Sequence, residues 1–217
     1  MSAWIDNILV MLILLNLLLV ASRGLVQCVN ALAVEGALLA ALPLLVEWHT
    51  APVRAAFFSL AILSLRSFVI PLLLKRAIGS AGIQNDIHPF LGHTASVVIV
   101  TLGFIGARML NARLQWPVAE VSSFMAPVAF LCIFTGFFLI VSRRQAVSQV
   151  IGYLQLEYGI FIFGMAHPYE HSIFVEIAVL LDLLVAVMVM GIAIYHINRE
   201  FDHIDTDKLS VLRDFMR

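Results

Sequence analysis

Two carboxylates stand near the middle of apolar stretches. Glu157 lies within Gln149-Val-Ile-Gly-Tyr-Leu-Gln-Leu-Glu-Tyr-Gly-Ile-Phe-Ile-Phe-Gly164, and Asp182 within Leu181-Asp-Leu-Leu-Val-Ala-Val-Met-Val-Met-Gly191. The surrounding segments, about 146–166 and 172–195, are each long enough at about 1.5 Å per residue to cross a hydrocarbon core of about 30 Å. Glu157 is about nine residues from position 166 and Asp182 about ten from position 172, so the two acids share a depth. An ionisable side chain at that depth points to an ion or proton pathway. A carboxyl removed from water favours its neutral form, which suits it to loading and releasing a proton. Transfer between the two acids requires intervening water. The alternative is that each acid is simply hydrogen-bonded at a helix contact.

Other residues qualify as neighbours or partners. Tyr153 is one turn before Glu157, with Gln155 and Tyr158 also close, so Tyr153 is a candidate hydrogen-bond neighbour. Glu35 and Arg66 each sit near the centre of an apolar segment, and opposite charges at mid-membrane are usually paired. They are expected to form an ion pair between the second and third segments. Gly152, Gly159 and Gly164 flank Glu157, and Ala178, Ala186 and Gly191 flank Asp182. Such small residues let membrane helices approach closely. His88, His93, His167 and His171 lie at segment ends or in loops and form no helical ligand motif, and Cys28 and Cys132 are isolated. No metal or cofactor site is expected in this chain.

Of the 217 residues, 62% are hydrophobic and 12% charged, with a mean hydropathy of +1.00. That composition belongs to an all-α polytopic membrane protein with the lipid bilayer as its surroundings. A formal net charge of -1 without a basic block argues against a nucleic-acid partner. Hydropathy predicts seven spans, at roughly 3–21, 25–46, 53–74, 93–112, 121–141, 146–166 and 172–195. The first apolar run reads as a span rather than a cleaved leader. The longest connection, 75–92, contains Asp86-Ile-His-Pro-Phe90 and reads as a polar loop. Lysine and arginine fall three to one side (Arg54, Arg108, Arg113) and nine to the other (Arg23, Lys75, Arg76, Arg143, Arg144, Arg199, Lys208, Arg213, Arg217). The N-terminus is therefore expected outside and the C-terminus in the cytoplasm. In the polar tail, Asp205 or Thr206 can cap a short helix whose Leu209, Leu212 and Phe215 share a face.

The stretches quoted around Glu157 and Asp182, with Ile204-Asp205-Thr206 in the tail, carry a resemblance. The last three spans resemble the three-helix K subunit of bacterial respiratory complex I and the related C subunit of Mrp-type cation antiporters. The whole chain resembles hydrogenase-4 component E, a membrane subunit of group 4 [NiFe] hydrogenase and formate hydrogenlyase-type complexes. The resemblance implies an N-terminal four-helix extension over 1–115, a K-subunit-like three-helix unit over 116–200 and a cytoplasmic tail over 201–217. It implies that Glu157 and Asp182 correspond to two glutamates of the K subunit's proton-conducting axis, Asp182 as a shorter acid. It further implies a place in the cell inner membrane, beside antiporter-like and other membrane-arm subunits and under peripheral hydrogenase subunits. Those partners would hold the NiFe centre and iron-sulfur clusters, and this chain alone would catalyse nothing. Two other readings stay open: a purely structural assembly subunit, and a self-standing small-solute transporter.

Overall fold

Where no water reaches, an apolar segment satisfies its backbone N–H and C=O groups internally only as a helix or in a closed barrel. The computed structural model, which describes residues 2–47, 52–80, 92–114, 122–143 and 145–166, takes the helical course. The elements are α1 (Ser2–Ala21), α2 (Leu25–Glu47), α3 (Pro52–Ile62), a π-helical segment (Leu63–Val69), α4 (Ile70–Ser80), α5 (His93–Leu114), α6 (Met125–Ser142) and α7 (Ala146–Met165). No β-strand occurs among the described residues. Six stretches are long and apolar enough to cross a membrane: Ala3–Ala21, Leu25–Val46, Ala55–Gly79, Thr94–Arg113, Met125–Ser142 and Ala146–Met165. The protein is thus helical and polytopic. The expected seventh span with Asp182, and the tail 201–217, lie outside the described residues.

Polarity is distributed inside out relative to a water-soluble bundle. Val10, Leu14 and Leu18 form an exposed apolar stripe on α1, and Phe57, Leu60, Phe68 and Leu72 do so along the third span. Asn16, Glu35, Arg66, Gln155 and Glu157 are instead buried at the helix contacts. Hydrocarbon outside and polar groups within is the arrangement a bilayer imposes.

The third span departs from its expected course. The basic pair Lys75 and Arg76 marks a boundary in the sequence, yet α4 continues to Ser80 and only 81–91 separate it from the next described residue. Ala77 and Ile78 are buried on the core side while Lys75 and Arg76 are exposed, so the final turns keep one packed face and one charged face. Upstream, Pro71 has no N–H to give the carbonyl of Ser67, which breaks the α-helical ladder there. The preceding turns are widened, with the Ile70 N–H donating to the Leu65 carbonyl five residues back. Arg66 is the buried residue of this π segment.

Helix α2 lies at the centre, in contact with α1, with all three parts of the third span and with α7. The tightest pairing is α6 with α7. A Cβ added at Gly136 would come within 2.5 Å of the Leu156 nitrogen, one at Gly152 within 2.8 Å of the Gly136 carbonyl oxygen, and one at Gly159 within 2.7 Å of the Ala129 carbonyl oxygen. These glycines bring the two backbones together, the close approach that stabilises helix pairs where no hydrophobic force separates helix from lipid.

Two contacts fix α1 parallel to α6. At one end Ser122 Oγ donates to Asp6 Oδ1 at 2.6 Å. At the other, buried Arg143 donates through Nη2 to the carbonyls of Leu19 and Val20 at 3.4 and 3.3 Å. A guanidinium there satisfies carbonyls that the end of α1 leaves open and meets the negative end of its dipole. Parallel first and fifth spans are what alternating crossings require.

Candidate intramembrane ion site

Helix α7 brings its acid to the third span. Arg66 Nη2 donates to Glu157 Oε1 at 2.5 Å, with the two side chains 1% and 0% exposed. The guanidinium also lies over two α7 rings, 5.1 Å from the Tyr158 centroid and 5.0 Å from that of Phe161. A planar, weakly hydrated guanidinium can stack on ring faces while its fork engages a carboxylate, which a lysine ammonium cannot do. Tyr158 in turn donates its hydroxyl to the Leu32 carbonyl at 3.3 Å, tying the pocket to α2. One short stretch of α7 therefore supplies the anion, both rings and the link to the central helix. Such a pair contributes little net stability, because desolvation offsets attraction, yet removing either member leaves a buried charge uncompensated.

The partner of Arg66 differs from the expected one. Glu35 and Arg66 are close in depth, but on α2 it is Gly36 that faces the π segment, where an added Cβ would lie 3.0 Å from the Arg66 backbone. Successive helical residues are turned by about 100°, so Glu35 points away from Arg66 and toward α1 and α7. There its Oε1 accepts from Asn16 Nδ2 at 3.2 Å. Asn16 Nδ2 also faces the Leu12 carbonyl at 3.0 Å and Cys132 Sγ at 3.4 Å, and Gln155 Nε2 donates to Asn16 Oδ1 at 2.9 Å. Four helices thus meet in a second polar cluster. Span-by-span depth could pair charges but not helix faces.

Glu157 occupies the buried mid-helix position read from the sequence. Tyr153 is half-buried and packed beside the core, and Arg66 donates to Glu157. Asp182 lies outside the described residues. Sequence reasoning missed Asn16 and its partnership with Gln155; the available signal was a lone amide inside the apolar run of α1, where it must find a partner on another helix. No group of three or more His, Cys, Asp or Glu side chains is placed to hold a metal ion among the described residues.

No protein-family model matches this sequence, and no solved structure matches it. It is similar to the uncharacterized protein Rv0085 of Mycobacterium tuberculosis, with 34% identity over 208 residues that cover 94% of this chain and 93% of that protein. With identity at that level over nearly the whole of both chains, the chain belongs to the same protein family as Rv0085.

Proposed function

We propose that the protein is a membrane-arm subunit of a hydrogenase-4-like complex, in which Glu157 and Asp182 contribute to proton or sodium translocation driven by electron transfer in other subunits. The observation that carries this reading is Glu157, fully buried at mid-helix and held by Arg66 from another span. The resemblance of the Glu157 and Asp182 stretches to the complex I K subunit supplies the complex and the role. A proton reaching Glu157 would neutralise the carboxylate and release Arg66, so the pair can exist as a locked and an unlocked state.

On this reading the chain resides in the cell inner membrane with its N-terminus outside and C-terminus in the cytoplasm. The last three spans form a K-subunit-like unit, and NiFe and iron-sulfur chemistry belongs to peripheral partners. Purification in mild detergent, with identification of the co-purifying proteins, tests it. Antiporter-like and hydrogenase subunits are the expected partners, and a chain that purifies alone and functional contradicts the proposal. A second reading, a purely structural subunit, draws on the same ion pair, which ties α7 to the third span whether or not protons move.

A further inference from the structure

Helix α7 has three sides, and close packing by the described helices accounts for two. Gly152 and Gly159 press against α6, and Tyr158 reaches the Leu32 carbonyl of α2. The third side is the stripe of Val150, Tyr153, Glu157, Ile160 and Gly164, spaced by three and four residues and so aligned along the helix. At about 100° per residue it is turned by roughly a third of a turn from each of the other two. Among the described helices, α6 and α2 are those that pack closely on α7. The third span meets the edge of this stripe through the long Arg66 side chain, which comes in over Tyr158 and Phe161 to Glu157.

Chain continuity and depth together name an occupant for the stripe. The described part of α7 ends at Ala166, and the apolar segment 172–195 begins six residues later. Six residues extend at most about 20 Å, and helices in contact lie about 8 to 10 Å apart. A span at 172–195 therefore runs beside α7 or at most one helix away. Its acid decides between these places. Asp182 is ten residues from 172, as Glu157 is nine from 166, and an acid at that depth turns to polar company rather than to lipid. The Asn16, Glu35 and Gln155 cluster is closed off between α1, α2, α6 and α7. Glu157, with Arg66 on it, lies on the side of α7 that remains.

We propose that 172–195 docks on the Val150, Tyr153, Glu157, Ile160 and Gly164 stripe, placing Asp182 beside Glu157 on the side away from Arg66. Gly164 gives room where the two helices converge near their short connection, as small residues do in membrane helix pairs. Glu157 then stands between a guanidinium and a second carboxyl, at the junction of three spans. The inference rests on the seventh span of the reading above, and not on ion movement or on any partner subunit.

Disulfide trapping in the purified full chain in lipid nanodiscs, with Cys28 and Cys132 replaced by serine, tests the contact. Ile160 is six residues from 166, which matches the depth of Ala178 counted from 172. Ile160→Cys is therefore paired in turn with cysteine at Ile177, Ala178, Val179 and Leu180, about one turn. Oxidation should close an intrachain disulfide in at least one of the four pairs. The same four paired with Ile105→Cys, on the exposed face of α5, should give none. Failure of all four pairs with Ile160, closure with Ile105, or disulfides formed only between two chains overturns the proposal. A photoreactive benzophenone side chain at the half-buried aromatic position Tyr153 needs no cysteine. Its crosslinked peptide should lie within 181–188, and crosslinking to lipid or to α5 instead overturns the proposal as well. Both measurements use the isolated chain, so failure here is distinct from failure of the proposed role in a complex.

Discussion

Arg66 and Glu157, 91 residues apart in the sequence, form a fully buried ion pair between the third span and α7. Charges at equal depth on different spans must find each other or water, and here the choice of partner is set by helix rotation. Gly36 lets the π segment approach α2 so closely that Arg66 passes by Glu35 and reaches α7.

That geometry predicts a specific pattern of losses. Arg66→Leu or Glu157→Leu alone leaves an uncompensated buried charge, a cost of about 3 to 5 kcal/mol, whereas the double replacement is nearly neutral. The double variant should recover most of the folded protein lost by either single one, as read by thermal unfolding in detergent. Glu35→Leu combined with Arg66→Leu should show no such recovery. Recovery in that second combination, and not the first, would contradict the pairing.

The spans themselves were legible because apolar runs of sufficient length have few alternatives in a bilayer. Five of the six observed spans begin and end close to where hydropathy puts them, and the third was cut short at Lys75 because a basic pair resembles a membrane boundary. The depth of Glu35 and Arg66 was legible too, from residue counts. Their orientation was not, since it depends on how Gly36, the π turn before Pro71 and the α6 and α7 glycines set helix against helix. The Asn16, Glu35 and Gln155 cluster was hidden for the same reason: three residues from three helices carry no shared sequence pattern.

The α6 and α7 hairpin should not tolerate side chains at its contact. Gly136→Val places atoms against the Leu156 backbone, which cannot rotate aside. Overpacking of this kind costs typically about 1 to 3 kcal/mol, and Gly106→Val, at a position with open space, serves as the control. Equal melting temperatures for the two variants would contradict the close approach.

Arg143 should act as a clamp on the end of α1. Hydrogen bonds that involve a charged group contribute about 1.5 to 3 kcal/mol, and Arg143→Met removes those to Leu19 and Val20. Thermal unfolding should shift downward by the corresponding amount, with Arg143→Lys intermediate because it keeps the charge and loses the fork. An unchanged midpoint in Arg143→Met would show that water or lipid satisfies those carbonyls equally well.

The nine-to-three division of basic residues predicts a sidedness that can be measured. Reporter fusions within 81–91 and at the C-terminus should report cytoplasm, and those within 167–171 the outside. A C-terminus on the outside would contradict either the proposed orientation or the proposed seven spans.

The most direct measurement of the proposed role is proton movement coupled to electron transfer in vesicles that carry the assembled complex, with Glu157→Gln in place of the wild type. The amide keeps size and hydrogen bonding to Arg66 but cannot cycle a proton. The account predicts a smaller amount of assembled complex, because Arg66 loses its counter-charge, and proton movement per assembled complex lowered by about a hundredfold or more, in the range expected when a positioned proton-transfer group is lost. Assembly together with undiminished proton movement would contradict it and leave the ion pair a structural tie.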